Sequence, residues 1–225
     1  MKDLTVVFDL DGTLVDTAPD LVGATNHALA DIGLAPVAAD LLRPWISFGA
    51  RRMIVAALGT SAQHRSEAEI DRLLDLFLTY YEANIARESR PYPGVIAAIE
   101  ALRDHGARLA VCTNKRENLS RALLSALDLE RYFHALAGRD TYPVHKPHPD
   151  HLHGAIRLAG GTSHRALMVG DSDIDIATAK AASVPVVAVS FGYTQVPVAT
   201  LTPDRIIDHY DHLLAAIGEL HPPKI

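Results

Sequence analysis

The chain has 225 residues, 48% of them hydrophobic, and a formal charge of −6. That length and composition suffice to bury a full core, as one large domain or two modest ones, and exclude a disordered chain. The acids are spread along the sequence, which argues against a nucleic-acid surface, since phosphate backbones are bound by clustered Lys and Arg.

The opening MKDLTVVFDLDG meets acids before any apolar stretch of useful length, and no later window approaches a membrane span. No membrane partner is expected, and the cytoplasm is the expected compartment. The single cysteine, Cys112, leaves no internal disulfide framework or multi-cysteine metal site and is expected to pack as a small apolar residue.

The first predicted strand lies in VVFDLDGTLVDT, Val6 to Thr17, and ends in two acids, Asp9 and Asp11. Carboxylates beside an apolar run are costly unless a cation, hydrogen bonds or chemistry compensates them. From Asp16 to about Glu88 the patterns are helical, with no convincing strand between them. DTAPDLVGATNHALADIGL has Pro19 near its start, Leu21, Ala24, Ala28 and Ile32 on one stripe, and Gly33 as a stop. A helical tract near Asp40 to Leu58 follows, then a longer one through SEAEIDRLLDLFLTYYEANIA. The segment reads as a helical insertion after the first strand, with hinges near Val15 and near Arg90 to Pro93, where RPYPG is poorly suited to continuing a helix.

From Pro93 onward, short β-branched runs alternate with amphipathic stretches. RLAVCTN, HALAG, RALMVGD, VPVVAVS and RIID read as strands; PGVIAAIEALRDHG, NLSRALLSALDL and DHLHGAIRLAG read as helices. Alternating strands and helices imply βαβ units and a parallel sheet covered on both faces, an α/β fold.

VVFDLD, AVCTN and LMVGDSDID each finish an apolar strand with polar or acidic side chains, and in open parallel sheets ligands sit at the carboxyl ends of the strands. Lys146, in VHKPHPD, adds a cation from a loop. The inventory suits phosphoryl transfer to a carboxylate. One acid acts as covalent nucleophile and a second moves protons. A hard divalent cation such as Mg²⁺ offsets the clustered charge, and Lys and Thr engage the phosphoryl oxygens.

DLDGT at Asp9 to Thr13, VCTN, the lysine of HKPHPD and GDSDID at Gly170 to Asp175, in that order, resemble the four motifs of haloacid dehalogenase superfamily phosphatases. The match covers nearly the whole chain. HKPHPD, VGDSDIDIATAKAA and SFGYT look most like phosphoglycolate phosphatases and their close relatives. The resemblance implies a Rossmann-like catalytic core, 1–15 and 89–225, with a helical cap domain at 16–88 inserted after the first strand. It implies Asp9 as nucleophile and metal ligand, Asp11 as general acid and base with its backbone carbonyl on the metal, and Asp171 as a further ligand. Thr113 and Asn114 would hold the phosphoryl oxygens, Lys146 would neutralise charge and orient Asp9, and Asp175 would act from behind them. The implied cofactor is Mg²⁺, and the implied partner is a small phosphorylated metabolite, with 2-phosphoglycolate as first expectation and a β-phosphoglucomutase-like sugar phosphomutase as the alternative. A monomer or homodimer is the expected assembly.

The presence of Asp11 argues against a dehalogenase, which works without a second catalytic Asp. The absence of lysine from 16–88 argues against phosphonate cleavage through a Schiff base. In the cap, WISFGARRMI offers Arg51 and Arg52, whose guanidinium forks suit a small carboxylate, although the segment lacks the glycine pair common in those relatives. His145, His148, His151 and His153 are expected in an exposed loop and helix start rather than a metal site. Ser183 stands where those relatives usually have glycine, which predicts a looser helix stop.

Overall fold

The computed structural model describes residues 1–221. Its sheet is built from β1 (Thr5–Phe8), β4 (Arg108–Cys112), β5 (Ala135–Ala137), β6 (Ala166–Gly170), β7 (Val186–Val189) and β8 (Arg205–Ile207), in the spatial order β5-β4-β1-β6-β7-β8. Every pairing is parallel, and Val7 at the centre lies opposite Ala110 on one side and Met168 on the other. The expected α/β parallel sheet is therefore the one observed.

Strand alternation explains why these runs read as continuously apolar. Val6 and Phe8 face one core with Leu109, Val111, Leu167 and Val169, covered by α5 (Val95–Asp104), α6 (Glu117–Ala126) and α9 (Leu213–Leu220). Val7 faces the other with Ala110, Met168 and Ala188, covered by α7 (Pro149–Leu158) and α8 (Asp173–Ala181). A strand buried on both faces has no polar side to show.

Between β2 (Val15–Asp16) and β3 (Arg90–Pro91) lie four helices, α1 (Ala18–Asp31), α2 (Ala39–Leu42), α3 (Ala50–Leu58) and α4 (Glu67–Ala83). They share a core that includes Leu21, Ala24, Ala28, Met53, Leu73, Phe77 and Tyr81, with Leu119 of α6 and Tyr193 joining it and Ile32 only partly buried at its edge. The tract near Asp40 to Leu58 is not one helix. Pro44 sits in a tight 3-10 turn over Arg43–Phe48, and Gly49, at φ +90°, starts α3 afresh. Proline lacks the donor that would continue α2, and a positive φ breaks the helical path.

The two connections to the sheet are not open loops. Val15 pairs with Pro91 and Asp16 with Arg90 in an antiparallel ribbon. Beside it, Asp20 in the first turn of α1 accepts from Glu88 N (3.0 Å), Ser89 N (2.8 Å) and Ser89 Oγ (2.6 Å). At the end of α8 the expected loose stop is instead closed. Ser183 adopts φ +54°, and Val184 N reaches back to Ala179 O at 2.9 Å. No helix among the described residues is long and apolar enough to cross a membrane.

Candidate active site

The three central strands deliver the predicted residues to one edge. Asp9 N donates to Val169 O (2.9 Å) and Thr113 N to Ala137 O (3.0 Å), so the ladder runs one residue past β1 and past β4 before each chain turns away. Asp9, Asp11, Thr113, Asn114 and Lys146 line one cavity of about 640 Å³ between the sheet edge and α1–α4. Asp171, directly after β6, and Asp175, in the first turn of α8, lie fully buried behind it.

Lys146 joins these groups. Its Nζ lies 2.8 Å from Asp9 Oδ1 and donates to Asp175 Oδ1 at 2.6 Å, with only 2% of the lysine side chain exposed. The other oxygen of Asp175 accepts from Asp171 N (3.2 Å), Ser172 N (3.1 Å) and Ser172 Oγ (2.7 Å), which closes the capping box that starts α8. Both oxygens of Asp175 are thus committed to the protein.

Asp171 is held more lightly. Its Oδ1 accepts from Thr13 Oγ1 (2.8 Å) and its Oδ2 from Tyr193 N (2.7 Å). Each oxygen keeps a lone pair in reserve. Gly12 makes room for it: at φ +85°, a Cβ there would sit 2.5 Å from Asp171 Oδ2. A Cβ at Gly192 would also collide with this carboxylate.

Burial dominates the electrostatics. It pushes Asp9 up to about 7, with Asp175 and Asp11 adding repulsion and Lys146 opposing it. Asp171 is raised well above the ordinary carboxylate range, first by burial, then by Asp175 and Asp9. Burial alone would lower Lys146, yet Asp175 and Asp9 together hold it above the usual lysine range. One lysine is not enough positive charge for these acids.

One oxygen from each of Asp9, Asp171 and Asp175 falls within 4.8 Å of the others, a grouping suited to a cation. With Asp175 occupied by four donors, Asp9 and Asp171 are the carboxylates with capacity to spare. A hard, all-oxygen donor set under mutual repulsion fits a divalent cation of the Mg²⁺ or Ca²⁺ type.

Asp11 lies beside this group in a pairing that the motif reading did not include. Its Oδ1 accepts from Thr17 Oγ1 (2.7 Å) and from Lys115 Nζ (2.9 Å), and its Oδ2 lies 3.2 Å from the same ammonium. Lys115 follows Thr113 and Asn114 directly in CTNK, so its position in the sequence was the available signal. Thr113 Oγ1 accepts from Lys115 N (3.2 Å), leaving its own proton to donate. Asn114 Nδ2 donates to Lys146 O (3.1 Å), while its buried Oδ1 has no partner among the described residues.

The structure separates the two cap arginines. Arg51 gives its two terminal nitrogens to Asp71 and Glu67 of α4. Arg52 makes no ion pair among the described residues, and both arginines line the same cavity, so it is their pairing that differs. The histidines are not uniformly exposed. His148 caps α7, but His151 is wholly buried, with Nε2 on Gly138 O (2.9 Å) and Nδ1 3.5 Å from Cys112 Sγ. Burial lowers His151 to about 4 and raises Cys112 to about 12, so a neutral imidazole and an inert thiol fill this part of the core.

Residues 6–189 match the family model for haloacid dehalogenase-like hydrolases. The chain is 52% identical over 214 residues to a phosphoglycolate phosphatase of Mesorhizobium japonicum, covering 95% of this chain and 94% of that one. It is 49% identical over 213 residues to a phosphoglycolate phosphatase of Agrobacterium fabrum, covering 95% and 91%. Among solved structures, a crystal structure described as a predicted phosphoglycolate phosphatase from Haemophilus somnus 129pt superposes with a TM-score of 0.89 at 34% identity, covering 96% of this chain and 98% of that one. The parallel sheet, the acids and lysine gathered at its edge, and these matches together make the chain a member of the haloacid dehalogenase-like hydrolase family.

Proposed function

We propose that this phosphatase is a Mg²⁺-dependent phosphomonoester hydrolase that works through an aspartyl phosphate on Asp9, with 2-phosphoglycolate as its substrate. The observation that carries the reading is the placement of Asp9: at the end of the central strand, facing the cavity, with one oxygen 2.8 Å from the Lys146 ammonium.

In this reading the Asp9 oxygen not engaged by Lys146 attacks phosphorus. The ester P–O bond breaks, and the departing oxygen takes a proton from Asp11. Asp11, now ionised, takes a proton from water as that water attacks the phosphorus of the aspartyl phosphate. The Asp9 O–P bond breaks, and phosphate leaves. Lys146 and the Thr113 hydroxyl balance charge on the phosphoryl oxygens, and Asn114 and Asp175 hold Lys146 in place. Asp9, Asp171 and the Asp11 carbonyl would hold Mg²⁺, which supplies charge neutralisation and orientation of the phosphoryl group when bound.

Residues 16–88 act as a cap over the core formed by 1–15 and 89–225, and the β2–β3 ribbon is where the two articulate. Closure excludes bulk water from the aspartyl phosphate. The names of the relatives support 2-phosphoglycolate, and Arg52 is the cap cation available to its carboxylate. The test is phosphate release with and without Mg²⁺ across a panel including 2-phosphoglycolate and hexose phosphates, with hexose products checked for isomerisation. Strong preference for 2-phosphoglycolate is expected. Isomerisation without comparable release, or full activity in Asp9→Asn, would overturn the reading.

A further inference from the structure

We propose that Lys115 is a positioning residue that holds Asp11 in place for proton transfer, and that Tyr81 ties this hold to the position of α4. The inference rests on the reading of Asp11 as the proton carrier and assigns a residue which that reading leaves without a task.

Among the described residues the site contains two lysines with buried side chains, and they divide the acids between them. Lys146 serves Asp9 and Asp175, whereas Lys115 serves Asp11, with 6% of the lysine side chain and 11% of the aspartate side chain exposed. An Asp carboxylate has two rotatable bonds, and proton transfer requires its oxygen within hydrogen-bond reach of the leaving group. Thr17 and Lys115 both fasten Oδ1, at 2.7 and 2.9 Å, while Oδ2 has only the longer 3.2 Å contact. The grip therefore fixes the plane of the carboxylate and leaves Oδ2 the less engaged oxygen.

Lys115 is itself fixed from both sides. Its backbone is pinned by Lys115 N to Thr113 Oγ1 and by Arg139 N to Lys115 O, at 3.2 and 2.8 Å. Its ammonium stands 4.5 Å from the centroid of the Tyr81 ring. Tyr81 is a buried residue of α4, within the helical insertion, while Lys115 and Asp11 belong to loops at the sheet edge. A cation over an aromatic face gains most when water is excluded. Withdrawal of α4 would remove the ring and wet the ammonium, loosening the grip on Asp11. Proton transfer is thus favoured only while the cap is seated.

The experiment compares Lys115→Met with the unaltered protein on three substrates. 2-Phosphoglycolate and 2-hydroxyethyl phosphate both lose an alkoxide that needs a proton, and only the first carries a carboxylate; p-nitrophenyl phosphate loses a phenolate that departs without one. The value read is kcat/KM, which reports steps up to leaving-group departure. Lys115→Met should lower it about 100-fold for both alkyl esters and less than about 10-fold for p-nitrophenyl phosphate, in keeping with the worth of general acid catalysis. Lys115→Arg should recover part of the loss, and Tyr81→Leu should reproduce the pattern more weakly.

A loss confined to 2-phosphoglycolate would make Lys115 a ligand of the substrate carboxylate and overturn the inference. An equal loss on all three would make it a scaffold residue, with the same result. If Lys115→Met does not fold, Lys115→Gln and Tyr81→Leu carry the same comparison. Failure of the unaltered protein on all three esters would instead sink the hydrolase reading, and this inference with it.

Discussion

The Nζ of Lys146 lies 2.8 Å from Oδ1 of Asp9, with 2% and 5% of the two side chains exposed. Among the described residues this buried ammonium is the charge paired with Asp9, and it also holds Asp175. Removing one partner of a buried pair leaves the other unpaired, at a cost of about 3–5 kcal/mol. Lys146→Met should therefore lower the melting temperature and reduce turnover by at least about 100-fold. Phosphate release with a thermal melt on the same sample checks both. Retention of turnover would remove Lys146 from the chemistry.

The acids also predict how stability responds to pH and to metal. Asp9 is raised to about 7, and Asp171 is raised in the same direction, by burial and mutual repulsion. A carboxyl whose folded pKa exceeds its unfolded value binds its proton more tightly when folded. Its contribution is present at low pH and lost as pH rises from about 4 towards about 7. Metal-free protein should therefore lose stability across that window. Mg²⁺ favours the ionised carboxylates, so it should raise the melting temperature more at pH 7 than at pH 5. Melts at both values, with EDTA and with Mg²⁺, decide this; an equal rise at the two pH values would argue against Asp9 and Asp171 as the binding groups.

At the end of α8, Ser183 occupies a left-handed conformation at φ +54° that glycine adopts freely. The helix stop is complete, so strain is the cost of keeping a side chain there. Ser183→Gly should stabilise the protein by about 0.5 kcal/mol, the relief being partly offset by the greater freedom of glycine in the unfolded chain. Urea unfolding measures the change, and kcat should not move.

Much of this arrangement was legible because its signals are local. VVFDLD shows a strand and its acidic end in adjacent residues, and the parallel sheet follows from runs buried on both faces. What was not legible depends on contacts across the chain. Lys115 in CTNK looks like any loop lysine until folding brings it to Asp11, 104 residues away in sequence. Tyr193 in SFGYT was visible as a motif, but its backbone bond to Asp171 and its hydroxyl bond to Asp16 were not. The break in the tract near Asp40 to Leu58 was locally marked by Pro44 and Gly49, and apolar periodicity alone hid it. A histidine flanked by prolines and other histidines reads as exposed, whereas the pairing that buries His151, with Gly138 O just after β5 and with Cys112 of β4, comes from elsewhere in the chain.

The same long-range pairing distinguishes Arg51 from Arg52, which the sequence leaves equivalent. Arg51 spends both terminal nitrogens on Asp71 and Glu67, bracing α3 against α4 from a partly exposed position. Exposed pairs contribute little to stability, so Arg51→Ala should leave KM for 2-phosphoglycolate within about 2-fold and change the melting temperature only slightly. Arg52 has no competing acid among the described residues, and on the proposed reading its loss removes a charge-assisted contact to the substrate carboxylate. Arg52→Ala should raise KM for 2-phosphoglycolate about 10-fold with little change in kcat, the mark of binding energy expressed equally in ground and transition states. It should leave KM for 2-hydroxyethyl phosphate, which lacks the carboxylate, nearly unchanged. Steady-state kinetics of both variants on both esters supplies the comparison. If Arg51→Ala raised KM for 2-phosphoglycolate and Arg52→Ala did not, the carboxylate would be read by the braced arginine, and the Glu67–Arg51–Asp71 cluster would have to open on binding.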